Sequence, residues 1–120
     1  MDRGRASVLV VDDDLSLRLL YRVNLELEGF AVSEAATLAE ADAALQAGRP
    51  DVVLLDVHLE QSDTHELLGR LRAEGIPVAL VTGSADLADY AGAADALLAK
   101  PFEPRTLVET ARRLARVGDA

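Results

Sequence analysis

Three short runs of uninterrupted apolar residues constrain the fold of this chain more than any other feature. They span residues 8–11, 52–55 and 78–81 and are rich in valine. A strand with one face in water alternates apolar and polar residues, whereas a strand buried on both faces does not. The runs therefore predict strands inside a parallel sheet. Two weaker strands are predicted over 31–35 and 96–99.

Helical patterns fill the segments between these strands. The first predicted helix is followed by Gly29 as a stop signal. Its apolar face, with one residue every four positions, consists of Leu15, Leu19, Val23 and Leu27. Thr37 suits the N-cap of a second helix, and Pro104 the first turn of the last one. A third helix is predicted around 67–71 and a short, alanine-rich fourth over 85–94. The inner face of the last helix is predicted to carry Leu107, Val108, Ala111, Leu114 and Ala115.

Strand and helix thus alternate five times within 120 residues. This alternation predicts a doubly wound α/β fold with right-handed crossovers. The length is that of one domain, so we expect residues 1–120 to form a single domain. Half of the residues are apolar, which is enough for one core. The chain has no cysteine, and this excludes disulfides and thiolate metal sites.

The charge of the chain limits its partners. The formal net charge is -9, and such a chain repels the phosphate backbone, so we expect no nucleic-acid binding by this domain. The apolar run at 8–11 is too short for a signal peptide or a membrane span. We therefore expect a cytoplasmic protein without a membrane partner.

Charged and hydroxyl side chains end four of the predicted strands. Asp12–Asp14 follow strand one, Asp56 ends strand three, Thr82 ends strand four and Lys100 ends strand five. Ligands of doubly wound sheets bind at this edge, so we expect these side chains to converge. Clustered carboxylates need a cation, and oxygen ligands suit Mg²⁺. With a hydroxyl and a lysine they form the set that phosphoryl transfer to an aspartate requires.

Each of these residues also has an ordinary interpretation. Asp14 is suited to cap the first helix, Asp56 could occupy a turn, Thr82 favours strands, and Lys100 could be solvated. Chance does not readily place all of them at strand ends of one sheet. The joint pattern therefore favours function.

Four segments resemble the receiver domain of two-component response regulators, the CheY-like family. They are residues 10–14, 51–57, 81–83 and 100–102, and the resemblance extends from about residue 7 to 117. It implies a three-layer (βα)5 flavodoxin-like fold whose parallel strands have the order 2-1-3-4-5. It also implies a stand-alone phosphoacceptor in a phosphorelay, with only self-catalysed phosphorylation and dephosphorylation, rather than an enzyme.

The resemblance also implies roles for individual residues. Asp56 would be the phosphoacceptor and a metal ligand. Asp13 would bind Mg²⁺ or Mn²⁺ directly, Asp12 largely through water, and His58 through its backbone carbonyl. Thr82 would hydrogen-bond the phosphoryl group.

Further implications concern Lys100 and the partners. Lys100 would pair with the phosphoryl group, and the Lys100–Pro101 bond would be cis. The phosphoryl donor would be a histidine kinase or a histidine phosphotransfer protein. Because the chain ends soon after the fifth predicted helix, output would pass through a downstream protein target.

The sequence departs from the family pattern at several positions. Glu60 and Thr64 stand where the family usually has proline and glycine. Leu97 occupies the position of the usual aromatic switch residue, and Tyr90 lies too early to replace it simply.

The segment from Thr82 to Lys100 is short. Lys100 lies only 18 positions after Thr82, so the fourth helix and its flanks must be reduced. Receivers commonly dimerise or dock partners there. We therefore expect a monomer, or a weak dimer through the fourth helix, the fifth strand and the fifth helix.

Two alternatives remain open. The pattern Asp12-x-Asp14-x-Ser16 also resembles haloacid-dehalogenase-type phosphatases, with Asp12 as the nucleophile, although the chain is short for that fold. The other alternative is a degenerate receiver that binds partners constitutively, which the altered loop and Leu97 favour.

Overall fold

A computed structural model describes residues 5–59, 64–83 and 88–119, with side chains described as far as Arg116. These residues form five strands and four α-helices, numbered in chain order. The strands are β1 (Ser7–Val11), β2 (Ala31–Ala35), β3 (Val52–Asp56), β4 (Val78–Gly83) and β5 (Ala96–Lys100). The helices are α1 (Leu15–Leu27), α2 (Leu38–Ala47), α3 (Thr64–Ala73) and α4 (Pro104–Asp119).

The strands form one sheet in the order β2-β1-β3-β4-β5, and every neighbouring pair is parallel. The three continuous apolar runs are the interior strands β1, β3 and β4, and the two weaker predictions are the edge strands. This confirms the predicted doubly wound α/β fold and its strand order.

Helices cover both faces of the sheet. In β3, Val52 and Leu54 face the core shared with α1 and α4, while Val53 and Leu55 face the core shared with α2 and α3. All five residues of β3 are buried. Burial on both sides explains why the sequence of this strand does not alternate.

Two helix starts agree with the sequence. Asp14 caps α1, because its Oδ1 accepts hydrogen bonds from the amides of Ser16 (2.9 Å) and Leu17 (3.2 Å). Thr37 caps α2, because its Oγ1 accepts one from the amide of Glu40 at 3.1 Å. Each cap satisfies amides that have no partner inside the helix.

Aspartates also bridge strands at the amino edge of the sheet. Asp51, just before β3, accepts a hydrogen bond from the amide of Ser7 at 2.7 Å. Asp95, just before β5, accepts one from the amide of Val78 at 2.8 Å. Both carboxylates therefore bind the first amide of a neighbouring strand and help to set its start.

The predicted buried face of α1 is wrong. The helix buries Tyr21 and Leu25, whereas Leu19 is 56% exposed and Leu27 77% exposed. Apolar residues recur every four positions on both sides of this helix, at 17, 21 and 25 as well as at 15, 19, 23 and 27. Packing on Phe30 and α4 selects the first set, so the second set faces water.

The predicted fourth helix over 85–94 is also not found in the described part of that segment. Residues 88–90 form a 3₁₀ turn, and bends and turns continue to β5. Gly92 has φ +78°, a left-handed conformation that an α-helix excludes. Residues 84–87 lie outside the described residues, as does the unusual loop position Glu60.

The last helix agrees with its prediction. It begins at Pro104 and buries Leu107, Val108, Ala111 and Leu114. Within the described ranges, no helix is both long enough and apolar enough to cross a membrane.

Candidate functional site

The sheet brings the predicted site residues to its carboxyl edge. In β1, Val11 pairs with Leu55 of β3, and Asp12 is the next residue along the chain. In β4, Val81 pairs with Asp56 of β3, and Thr82 is the next residue. Asp12 and Thr82 therefore lie on either side of Asp56. Carboxylate oxygens of Asp12, Asp13 and Asp56 lie within 4.8 Å of one another. Three carboxylates at this distance repel strongly unless a positive charge lies among them.

Short backbone hydrogen bonds orient two of these carboxylates. Oδ1 of Asp12 accepts from the amide of Asp14 at 2.8 Å. Oδ1 of Asp56 accepts from the amide of His58 at 2.9 Å. In each case the bond reaches two residues along the chain and fixes one oxygen, which leaves the second oxygen for other partners.

The second oxygen of Asp12 has no protein partner within the described residues. Asp12 is 1% exposed, and its Oδ2 is buried without a hydrogen bond. The pKa of Asp12 is raised to about 6, chiefly by burial and also by the charges of Asp56 and Asp13, while the Asp14 amide and Lys100 oppose the rise. A buried, unsatisfied carboxylate oxygen is costly in isolation and is what a bound cation would complete.

Lys100 provides the positive charge of the site. Its Nζ lies 3.4 Å from Oδ2 of Asp56, with the Lys100 side chain 33% exposed and that of Asp56 5% exposed. The lysine therefore reaches from solvent to a buried carboxylate at the sheet edge. The Lys100–Pro101 peptide bond, which follows directly, is cis.

Thr82 is the next-to-last residue of β4, lies beside Asp56 and is fully buried. Its Oγ1 donates a hydrogen bond to the carbonyl of Gly83 at 3.2 Å. A local bond of this kind can be exchanged for one to a ligand without opening the core. The hydroxyl is thus available as a donor at the edge.

These side chains fit a divalent cation with oxygen ligands. Asp12, Asp13 and Asp56 offer hard carboxylate oxygens from two buried residues and one exposed residue. No nitrogen or sulfur ligand lies among them, which favours Mg²⁺ or Mn²⁺ over softer metals.

Three supporting contacts were not predicted from the sequence. Nη1 of Arg18 donates to the carbonyl of Asp12 at 2.8 Å, while its Nε pairs with Glu34 at 3.1 Å. The rings of Tyr21 and Phe102 stack with centroids 5.7 Å apart. These contacts hold the ends of β1 and β5 against α1. Only the fold brings the partners together, so no sequence pattern identifies them.

Leu97, which replaces the family's aromatic residue, and the nearby Tyr90 lie in one contact region. Leu97 is partly buried and packs against the same core as Tyr90. The ring of Tyr90 stacks on His65 at the start of α3, with centroids 5.5 Å apart. Tyr90 thus bridges α3 and the β4–β5 connection instead of lying at the position of Leu97. His58 is exposed beside the site.

Comparison with known proteins identifies this arrangement. The response regulator receiver domain family matches residues 8–112. The chain belongs to this family. Receiver domains are signalling modules of two-component systems, and this membership favours the receiver interpretation over the phosphatase alternative.

The receiver resembles regions of longer regulators. It is 36% identical over 124 residues to the DNA-binding response regulator MtrA of Mycobacterium tuberculosis, covering 99% of this chain and 54% of MtrA. It is 39% identical over 114 residues to the C4-dicarboxylate transport transcriptional regulatory protein DctD of Rhizobium meliloti, covering 89% of this chain and 25% of DctD. The chain thus spans about half the length of MtrA.

Solved structures show the same fold. A CheY-like response regulator receiver domain protein from Methanospirillum hungatei superimposes with a TM-score of 0.85 at 29% identity, covering 97% of this chain and 98% of that one. Chemotaxis response regulator CheY4 of Vibrio cholerae gives 0.82 at 31% identity, covering 92% and 99%. These structures match the receiver over nearly its full described length.

Proposed function

We propose that this receiver accepts a phosphoryl group on Asp56 with the help of a divalent cation and passes the resulting change to a protein target. The observation that carries the proposal is the geometry of Asp56. One oxygen is fixed by the amide of His58 at 2.9 Å, and the other faces Lys100 at 3.4 Å beside two further aspartates.

The proposed reaction is a displacement at phosphorus. An oxygen of the Asp56 carboxylate forms a bond to phosphorus as the bond to the donor's histidine nitrogen breaks, and the donor leaves as neutral or protonated imidazole. Lys100 pairs with a phosphoryl oxygen, and the Thr82 hydroxyl donates a hydrogen bond to another. Later attack by water releases inorganic phosphate and restores the carboxylate. The Asp56 carboxylate is thus modified when the signal arrives and restored when the phosphoryl group is released.

Asp12, Asp13 and Asp56 would hold Mg²⁺ or Mn²⁺, with the backbone carbonyl of His58 as a further ligand. When bound, the cation neutralises the carboxylates and the phosphoryl oxygens that approach them. Oδ2 of Asp12, which is buried without a protein partner in the described structure, supports this role.

The proposed partners are a histidine kinase or histidine phosphotransfer protein as donor and a downstream protein target. Some relatives are named as DNA-binding regulators, and this chain matches about half of such a protein. Because the chain carries a net charge of -9, we propose that this region does not itself contact nucleic acid. The proposed location is the cytoplasm, where such kinases present their phosphoryl groups.

The test is intact-protein mass spectrometry after incubation with acetyl phosphate, with and without Mg²⁺. Wild type is expected to gain one phosphoryl group only when Mg²⁺ is present, and Asp56→Asn to gain none. Asp89→Asn removes the same charge from an exposed turn and should behave as wild type. Phosphorylation of Asp56→Asn to the wild-type level would contradict the proposal.

The second candidate function is constitutive binding by a degenerate receiver. The observation in its favour is that Leu97, in place of an aromatic switch residue, packs in a core with Tyr90. Under this alternative, neither acetyl phosphate nor a purified histidine kinase would phosphorylate the wild type. A Mg²⁺ titration would also leave the NMR signals of Asp12 and Asp13 unchanged.

A further inference from the structure

Two of the four tyrosine and phenylalanine residues of this chain lie against each other. The ring of Tyr21 stacks on that of Phe102, with centroids 5.7 Å apart and an angle of 19° between the planes. Tyr21 lies on the buried face of α1 and is 4% exposed. Phe102 lies two residues after Lys100, in the turn between β5 and α4. The stack therefore connects the first helix with the segment that directly follows the lysine of the site.

The strand that carries Lys100 loses its pairing at that residue. β5 is an edge strand that pairs with β4 alone, and the last pair of this ladder is Gly83 with Lys100. Pro101 follows and has no amide hydrogen to donate. Phe102 is partly buried and packs against the core shared with α1 and α4. Its ring is therefore the first anchor of the chain beyond the ladder.

The ring of Phe102 lies between α1 and the start of α4. The narrow space there is lined by Leu20, Tyr21, Asn24, Phe102, Pro104 and Leu107. Tyr21 itself belongs to the core that includes Val8 and Val10 of β1. The position of the Tyr21 ring is thus set by the strand that leads to Asp12.

Lys100 needs support because its contact with the site is long and its side chain is flexible. Nζ lies 3.4 Å from Oδ2 of Asp56, near the outer limit for a hydrogen bond, and the side chain is 33% exposed. Lysine carries its charge on a flexible stem without a rigid fork, so the place of the charge depends on the backbone below it. A shift of about 1 Å at Lys100 is therefore enough to break the contact.

We propose that Tyr21 is a positioning residue for Lys100 and that it acts through the stack with Phe102. β1 and β5 are not neighbours in the sheet, since β3 and β4 lie between them. The stack bridges this gap on one face of the sheet and fixes the lysine of β5 relative to the aspartates that follow β1. The inference rests on the proposed function only for its consequence, the pairing of Lys100 with a phosphoryl group.

The ring of Tyr21, rather than its hydroxyl, carries this role. Burial raises the pKa of Tyr21, and the charges of Asp12, Asp56 and Asp14 act in the same direction. The hydroxyl therefore keeps its proton and does not serve the site as a base. Tyr21→Phe should preserve the position of Lys100, whereas Tyr21→Leu should not.

The first test uses the fact that Lys100 is the only lysine of the chain. Reductive methylation with ¹³C-formaldehyde labels Lys100 and the terminal amine, whose lower pKa of about 8 distinguishes its NMR signal. Wild type compared with Asp56→Asn, without phosphodonor, gives the part of the Lys100 shift that depends on the carboxylate. We expect Tyr21→Leu to reduce this part by at least about half, and Tyr21→Phe to preserve it.

Two further variants separate positioning from a general loss of stability. Phe102→Leu removes the other ring from a partly exposed position and should reduce the shift as Tyr21→Leu does, with no further loss in the double variant. Leu71→Ala removes a buried side chain from the core on the opposite face of the sheet. It should lower the melting temperature while the Asp56-dependent shift keeps its wild-type size.

The second test measures the rate of phosphorylation by acetyl phosphate. Tyr21→Leu should slow the reaction about tenfold, and should slow Lys100→Ala by less than about twofold, because the effect passes through Lys100. Equal losses in both backgrounds would show that Tyr21 affects the site without Lys100 and would overturn the proposal.

The NMR test has several outcomes that would overturn the inference. One is a full Asp56-dependent shift in Tyr21→Leu or, should that variant not fold, in Phe102→Leu. Another is loss of the shift in Tyr21→Phe or in Leu71→Ala, and a third is its absence from wild type. The measurement needs no phosphoryl transfer. A wild type that acetyl phosphate and a purified kinase leave unmodified would therefore contradict the proposed function alone.

Discussion

The two edges of the sheet use aspartate in opposite ways. At the amino edge, Asp51 and Asp95 bind backbone amides of neighbouring strands at 2.7 and 2.8 Å. At the carboxyl edge, Asp12 and Asp56 each bind an amide only two residues further along the chain, at 2.8 and 2.9 Å. The first pair connects strands, whereas the second pair only orients its own carboxylates.

The difference lies in what the second oxygen meets. At the carboxyl edge, that oxygen is buried in Asp12, without a hydrogen-bond partner among the described residues, and faces Lys100 in Asp56. Burial at the amino edge is lower, since Asp95 is exposed and Asp51 only partly buried. An aspartate at a strand end is thus structural where its bonds hold another strand, and chemically available where its second oxygen is left for a cation, as in Asp12, or faces a lysine, as in Asp56.

The largest expected effect is on the phosphorylation rate, and it should differ between a cation at the carboxyl edge, Lys100, and a cation at the amino edge, Arg49. Lys100→Ala should slow phosphorylation by acetyl phosphate about 100-fold, since it removes the charge that faces the developing phosphoryl oxygens. Arg49→Ala, which removes a cation at the amino edge, should change the rate less than twofold. Initial rates from intact-mass measurements check this, and equal rates for both variants would refute the distinction.

Removing an aspartate at the amino edge should affect stability instead. Asp51→Ala leaves the amide of Ser7 without its 2.7 Å acceptor and should lower the free energy of unfolding by about 1–3 kcal/mol. Urea denaturation measures this loss. The phosphorylation rate of the folded variant should remain that of wild type, and a slower rate at unchanged stability would be the opposite of what we expect.

Asp12→Asn should have the opposite effect on stability. Folding raises the pKa of Asp12 from 3.8 to about 6, so the proton is held more tightly in the folded state. The stability that the protonated Asp12 contributes is fully present below pH 3.8 and is lost as pH rises through about 6.

At pH 7 without metal, Asp12→Asn should therefore raise the free energy of unfolding by about 1–2 kcal/mol, because it removes a buried charge. The gain over wild type should shrink towards pH 4. Urea denaturation at both pH values tests this, and a destabilised Asp12→Asn at pH 7 would show that the charged form is stabilised by contacts other than a metal.

The smallest expected effect concerns pH and metal binding. A cation must displace the proton of Asp12, whose pKa is about 6. The apparent affinity for Mg²⁺ should fall by up to about tenfold per pH unit below pH 6. Calorimetric titration at pH 7 and pH 5 measures this, with Asp12→Asn as the control in which that dependence is reduced. Equal affinity of wild type at both pH values would exclude Asp12 from the metal site.

The sheet and the position of the site were predictable because both depend on local patterns. Continuous apolar runs distinguish interior strands from edge strands, and parallel topology collects the residues that follow them. The caps at Asp14 and Thr37 were predictable for the same reason, since each is satisfied within three residues of itself.

The buried side of α1 was not predictable. Its sequence offers two stripes of equal periodicity, and contact with Phe30 and α4 decides between them. The prediction of a helix in the β4–β5 connection was wrong for a related reason. Its alanines favour a helix, but Gly92 and the bond from Val78 to Asp95 fix the approach of the chain to β5. Both outcomes depend on tertiary contacts that a local pattern does not contain.

The most direct measurement is to locate the phosphoryl group. Borohydride reduces an aspartyl phosphate to homoserine, and peptide mass spectrometry then identifies the modified position. After phosphorylation with Mg²⁺ and acetyl phosphate, we expect homoserine at position 56 alone. Homoserine at position 12 would instead support the phosphatase-type nucleophile. Homoserine at position 51 or 95 would contradict the division between a structural edge and a reactive edge.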